Sequence, residues 1–222
     1  MLTKDKIKAI GYSYLLFIGI GLVLTVIIRS IDAFVVVDYY KIPSLLNHDV
    51  LKAIRVLTHD NSFYIMFLAA FFVPTVEETI FRLWLSFNPR HIAISFSAIL
   101  TCLTFRLKDL FHVNLKAVTI ILFFIIISLL VYRVLRDKHP KQYLDRFIPI
   151  RVVGSISAIS FGLVHITNFA PINTTIWFLY PIYVLPQVVL GYLIVFLRLK
   201  HGFIYGLGLH ILVNFIAVLM KI

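Results

Sequence analysis

The chain has one cysteine, Cys102, and few charges: 14% of its 222 residues are Asp, Glu, Lys or Arg. A single thiol excludes an intrachain disulfide and any multi-cysteine metal site. It reads as a small apolar residue inside a hydrophobic run. A soluble domain carries about 25% charged residues, so an ordinary water-solvated surface is excluded. Acid is scarcer still, with 10 Asp and Glu against 21 Lys and Arg and a net charge of +11. In a soluble chain that surplus would point to nucleic acid. Here the basic residues sit in short connections between apolar runs, where they set membrane topology, and no nucleic-acid partner is expected. Internal repeats are missing, and with them the inverted repeats of many transporters.

What is present is apolar, 61% of the residues, and gathered into blocks. Seven stretches have about the length needed to cross a 30 Å hydrocarbon core, near 7–30, 62–87, 92–110, 115–134, 152–170, 175–198 and 202–220. The first is longer than a signal-peptide core and lacks a small-residue cleavage site, so it reads as a retained span. The fold expected is all-α, a polytopic transmembrane bundle of about seven spans. Residues 1–61 form an N-terminal span plus a polar connection, and 62–222 form the core of one membrane domain. The connection 31–61 carries Asp32, Asp38, Lys41, Asp49, Lys52, Arg55 and Asp60. It reads as extramembrane, with an interfacial helix near 47–58; an eighth span hidden there would invert the topology on one side of it.

Counted by side, thirteen of the 21 Lys and Arg fall with the N-terminus, the 82–91 turn, the 133–151 linker and the Arg198–Lys200 region; eight fall opposite. Basic flanks stay inside, which places the N-terminus in the cytoplasm of a bacterial cell and the C-terminus outside.

Against this background several side chains are out of place. An ionisable group at the centre of a spanning helix costs at least about 2.5–3.5 kcal/mol, so each invites a functional reading. The second span holds Glu77, Glu78 and Arg82; the fifth holds Phe161, His165 and Asn168; the seventh holds His210 and Asn214. At 1.5 Å per residue, Glu77 lies about 15 Å from the span end near Phe87, His210 about 14 Å from His201 and His165 about 21 Å from Arg151. With tilt, those depths meet in one layer. Glu78 and Arg82 are four residues apart and pair on one face, which leaves Glu77 turned away and free to face a cavity. His210 and Asn214 share a face by the same spacing, as do His165 and Asn168. His91, His112, His139 and His201 read as solvated span ends, Arg106, Lys108 and Asp109 as interfacial, and Trp177, Tyr180 and Tyr183 as packing aromatics.

Glu77, Glu78 and Arg82 as EExxxR, Phe161 and His165 as FxxxH, and His210 and Asn214 as HxxxN occur in the order of the CPBP intramembrane proteases, which include CAAX-processing and bacteriocin-associated endopeptidases. The chain resembles that family from about residue 62 to 220, with Gln187, Gly191, Tyr192 and Arg198 also matching its approach to the last helix. Leu83 departs from the Gly that many members carry there, and residues 1–61 match nothing.

The resemblance implies an intramembrane endopeptidase. Glu77 is the general base, His165 holds the attacking water, and His210 and Asn214 donate to the tetrahedral oxygen. Glu78, Arg82 and Asn168 support them. The substrate implied is a peptide or C-terminal protein segment reaching the site from the membrane or the cytoplasm. There is no GxSG, GxGD or HExxH, so serine, aspartyl and gluzincin arrangements are excluded. Glu77, His165 and His210 are also a His₂Glu set of the kind that holds catalytic zinc; the reading preferred is metal-free, with zinc as the alternative. A silent scaffold or immunity protein, and a proton-coupled transporter, are the competing functions.

Overall fold

A computed structural model describes residues 4–47, 51–111, 114–138 and 148–221, without the side chains of 107 and 108. It contains helices and no strand among the described residues. Among the described residues five helices are long and apolar enough to cross a membrane: α1 (Lys4–Tyr39), α3 (Ser62–Phe81), α5 (Leu115–Leu135), α6 (Ile150–Phe169) and α7 (Thr174–His201). The short α2 (Lys52–Thr58) precedes α3, and α4 (Pro89–Thr104) and α8 (Phe203–Leu219) complete the set. These helices are compatible with a multi-pass membrane protein. The expected third and seventh spans are thus helices of 16 and 17 residues, about 24–26 Å long.

The helix starts follow local chemistry. Asn61, Asn88 and Asn114 cap α3, α4 and α5, each side-chain oxygen accepting a first-turn N–H (Tyr64, Arg90 and Ala117). Pro89 follows its cap at the position where a missing N–H costs nothing. Gly202, at φ 109°, separates α7 from α8; a side chain is strained in that conformation.

Two sequence expectations need correction. The first helix does not stop at residue 30 but continues as a π-helical segment, Asp32–Tyr39. Asp32, read as part of an extramembrane connection, is 4% exposed. Its Oδ1 accepts Tyr183 Oη at 2.7 Å and Leu45 N at 3.1 Å. Charge content argued for a solvated loop; a tyrosine hydroxyl distant in sequence supplied a partner instead. The helix expected near 47–58 is present as α2 over Lys52–Thr58.

The bundle is tightest where α6 meets α7. A Cβ on Gly162 would collide with Val188, and one on Gly191 would stand 2.9 Å from the Ala158 carbonyl oxygen. α5, by contrast, lies against α4 and leaves Leu122, Ile126, Leu129 and Leu130 exposed, as a lipid-facing helix would.

Candidate functional site

The cluster is built around the C-terminal end of α3, where the last carbonyls need partners from outside the helix. Ser95 Oγ donates to the Thr79 carbonyl at 2.7 Å, Ser157 Oγ to that of Phe81 at 2.6 Å, and Arg198 Nε to that of Arg82 at 3.2 Å. Side chains from α4, α6 and α7 thus fix the turn that carries Glu77, Glu78 and Arg82.

Arg82 is fully buried and Glu78 is 1% exposed; Arg82 Nη1 donates to Glu78 Oε1 at 2.9 Å, so the spacing argument holds for this pair. The guanidinium carbon lies 3.9 Å from the centroid of the Phe161 ring, a cation–π contact. Among the described residues Arg82 Nε and Nη2 have no hydrogen-bond partner, and a Cβ on Gly191 would come within 3.2 Å of Nη2. The glycine leaves room for the guanidinium between α3 and α7.

Both histidines present the same ring nitrogen to Glu77. His165 donates Nδ1–H to the Phe161 carbonyl at 2.8 Å. His210 donates Nδ1–H to Glu78 Oε1 at 2.8 Å. An acceptor at Nδ1 fixes the proton there and leaves Nε2 with a lone pair in the neutral ring. The two Nε2 atoms stand 3.9 Å and 3.4 Å from Glu77 Oε1 and Oε2. Glu77 is 23% exposed, where Glu78 is sealed. The Phe161 ring packs on both imidazoles, at 4.7 Å and 5.3 Å between centroids.

Glu77 lines a cavity of about 300 Å³ together with Val73, His165, Asn168, Asn214 and Val218. Glu77, Glu78, Arg82, His165 and His210 are brought together as the sequence suggested. Asn168 is exposed on the cavity wall. Asn214 has a partner that no sequence pattern signalled: Nδ2 donates to the Ala69 carbonyl at 3.2 Å. The local backbone gives the reason. Phe67–Phe72 is π-helical and Val73 N bonds to Leu68 O. In that register the next donor to Ala69 O would be residue 74, and Pro74 has no N–H. Asn214 fills the vacancy.

Sequence reasoning missed Ser95, Ser157 and the role of Phe161 as a platform for one guanidinium and two imidazole rings. A serine facing a helix end and an aromatic face meeting a guanidinium are set by helix packing, which periodicity does not report. Of the histidines expected at solvated ends, His91 is half-buried and bonds Ser86 Oγ at 2.7 Å, and His201 is half-buried with its ring 5.9 Å from that of Tyr205. His112 and His139 lie outside the described residues, as do Lys141 and Arg146 of the linker. Trp177 is exposed, whereas Tyr180 and Tyr183 are buried in a cluster with Ile28, Val36 and Ile176.

Among the described residues no group of three or more His, Cys, Asp or Glu is placed to hold a metal ion. No family model, no curated protein and no solved structure matches the chain.

Proposed function

We propose that the chain is an intramembrane endopeptidase of the CPBP type, hydrolysing a peptide bond with water activated by Glu77 and His165. The observation that carries this reading is one contact set. An accessible carboxylate faces the Nε2 atoms of two tautomer-fixed histidines at 3.4 Å and 3.9 Å, at the end of a cavity. Structural polar contacts between helices need no cavity and no free lone pairs.

A water between Glu77 and His165 Nε2 gives up a proton to Glu77 as its oxygen attacks the substrate carbonyl. The carbonyl oxygen becomes an oxyanion, which Asn214 stabilises; His210 joins it as a donor only in its doubly protonated form, with Nδ1–H kept on Glu78. Asn214 has one N–H committed to Ala69 and offers the other. Collapse of the tetrahedral adduct breaks the C–N bond, and the leaving amine takes the proton from Glu77, directly or through His165. Glu78 and Arg82 touch no substrate; they hold His210 and the end of α3.

The ring orientations also suit a second reading, zinc held by Glu77, His165 and His210. Metal-bound histidines donate their other N–H to a carbonyl or carboxylate, as both do here. The ion would supply Lewis-acid activation of water.

Turnover of a quenched peptide by purified protein in detergent tests the proposal. Cleavage that is lost in Glu77→Gln, with the variant still folded, supports it; undiminished cleavage by that variant overturns it.

A further inference from the structure

The cavity at Glu77 extends in one direction only. Along α3 its lining runs from Glu77 through Val73 to Ala69, and along α8 from Asn214 through Ala217 to Lys221. Along α6 it runs from Val164 to Asn168. All three series step towards the end of the bundle where α3 begins and where α6 and α8 finish. Leu51 and Ile54 of the α2 region complete the rim, and Arg55 Nη2 donates to the Lys221 carbonyl at 2.9 Å. The opposite end is closed. There the start of α1 meets the start of α8, with Lys6 Nζ 5.4 Å from the Tyr205 ring centroid. There too Arg198 and Ser157 seal the end of α3.

The basic surplus lies at the closed end. Lys4, Lys6 and Lys8 flank α1 there, Arg133, Arg136 and Lys138 the end of α5, and Lys200 the end of α7. Arg82 counted with this side by sequence, but it is buried in the cluster; among the described residues ten Lys and Arg remain against eight at the mouth end. Lys and Arg in short flanks are retained in the cytoplasm, so the closed end faces inward and the mouth faces away from the cytoplasm.

We propose that Glu77 acts on polypeptide presented from the non-cytoplasmic side: an extended aliphatic segment of a translocated chain. A lipid-modified tail of a cytosolic protein would meet the closed, basic end. Leu51, Ile54, Val73, Val164 and Val218 give the cavity apolar walls, and their burial against an aliphatic segment is the main source of binding. Lys221 at the rim offers a cation to a carboxylate of the same segment. This rests on the peptidase reading for its chemistry, but the side of entry is measured without turnover.

The experiment replaces Cys102 by Ala and introduces single cysteines by Thr167→Cys and Ala217→Cys at the mouth, and by Ile148→Cys at the closed end. All three positions are exposed and uncharged, so the basic balance is untouched. A membrane-impermeant maleimide should label the two mouth variants in intact cells and Ile148→Cys only after permeabilisation. Labelling of Ile148→Cys in intact cells, with the mouth variants protected until permeabilisation, overturns the proposal. A second arm adds an aliphatic reporter peptide outside right-side-out or inverted vesicles of unlabelled protein. Cleavage confined to right-side-out vesicles supports the assignment, and cleavage confined to inverted ones overturns it. Absence of cleavage in both, with mouth labelling from outside, removes the peptidase reading while the outward mouth stands.

Discussion

His210 donates Nδ1–H to Glu78 Oε1 at 2.8 Å, joining residues 132 positions apart. That oxygen also receives Arg82 Nη1 at 2.9 Å. Glu78 is therefore more than the partner of an arginine on its own helix: it turns Nε2 of His210 towards Glu77. Two adjacent glutamates have separate tasks because a helix points them about 100° apart.

The two tasks predict different losses. Glu77→Gln keeps the shape and removes the base, so turnover per folded molecule should fall by about 100- to 10,000-fold with little change in thermal midpoint. Arg82→Ala leaves Glu78 buried without its cation, a loss of about 3–5 kcal/mol, and should lower both yield and midpoint. Glu78→Gln should lose turnover and stability together. A Glu78→Gln protein that is stable and inactive beside an active Glu77→Gln would reverse the two assignments.

Asn214 carries two separable roles. Asn214→Ala strands the Ala69 carbonyl and should cost about 1–3 kcal/mol. Pro74→Ala restores a backbone N–H at the position that would serve that carbonyl. The double variant should therefore recover stability relative to Asn214→Ala, a coupling read from a mutant cycle in detergent. Turnover should stay low in the double variant, because the free amide N–H is still absent. Full recovery of turnover would assign Asn214 to structure alone.

Close packing beside Arg82 is testable at Gly191. A methyl there meets the Ala158 carbonyl at 2.9 Å and Arg82 Nη2 at 3.2 Å. Gly191→Ala should destabilise by about 1–3 kcal/mol through overpacking and reduce turnover as the guanidinium shifts. Gly11, with nothing within 4 Å of its added Cβ, is the control: Gly11→Ala should be neutral or slightly stabilising in the helix. Equal effects at both sites would show that the α6–α7 contact yields to the extra methyl.

Asp32 tests the revised first helix. Asp32→Ala removes the acceptor of both Tyr183 Oη and Leu45 N, whereas Tyr183→Phe removes one donor. The aspartate substitution should lower the thermal midpoint more, since it leaves a backbone N–H and a hydroxyl without their partner. Equal midpoints would mean that water replaces the carboxylate at that site.

A strong chelator should leave turnover unchanged if water is activated without an ion. Loss on chelation, restored by zinc and not by magnesium, would transfer Glu77, His165 and His210 to the role of ligands.

The sequence by itself determined what depends on composition and on neighbours along one helix. Long apolar blocks can satisfy their backbone only as helices in lipid. Glu78 and Arg82 met because four residues bring side chains round to one face. The expectation that Glu77, His165 and His210 share a layer also came from rise per residue, and the Nε2 atoms of both histidines do lie within 3.9 Å of a Glu77 oxygen. Only the tertiary structure decided that His210 leans on Glu78, that Asn214 replaces the donor missing at Pro74, and that Asp32 is buried against Tyr183. Each of these joins different helices, and their register is set by close approaches such as Gly162 against Val188. Helical periodicity gives the face of a residue; which atoms meet it from the next helix depends on the shape and depth of contacts that no local pattern encodes.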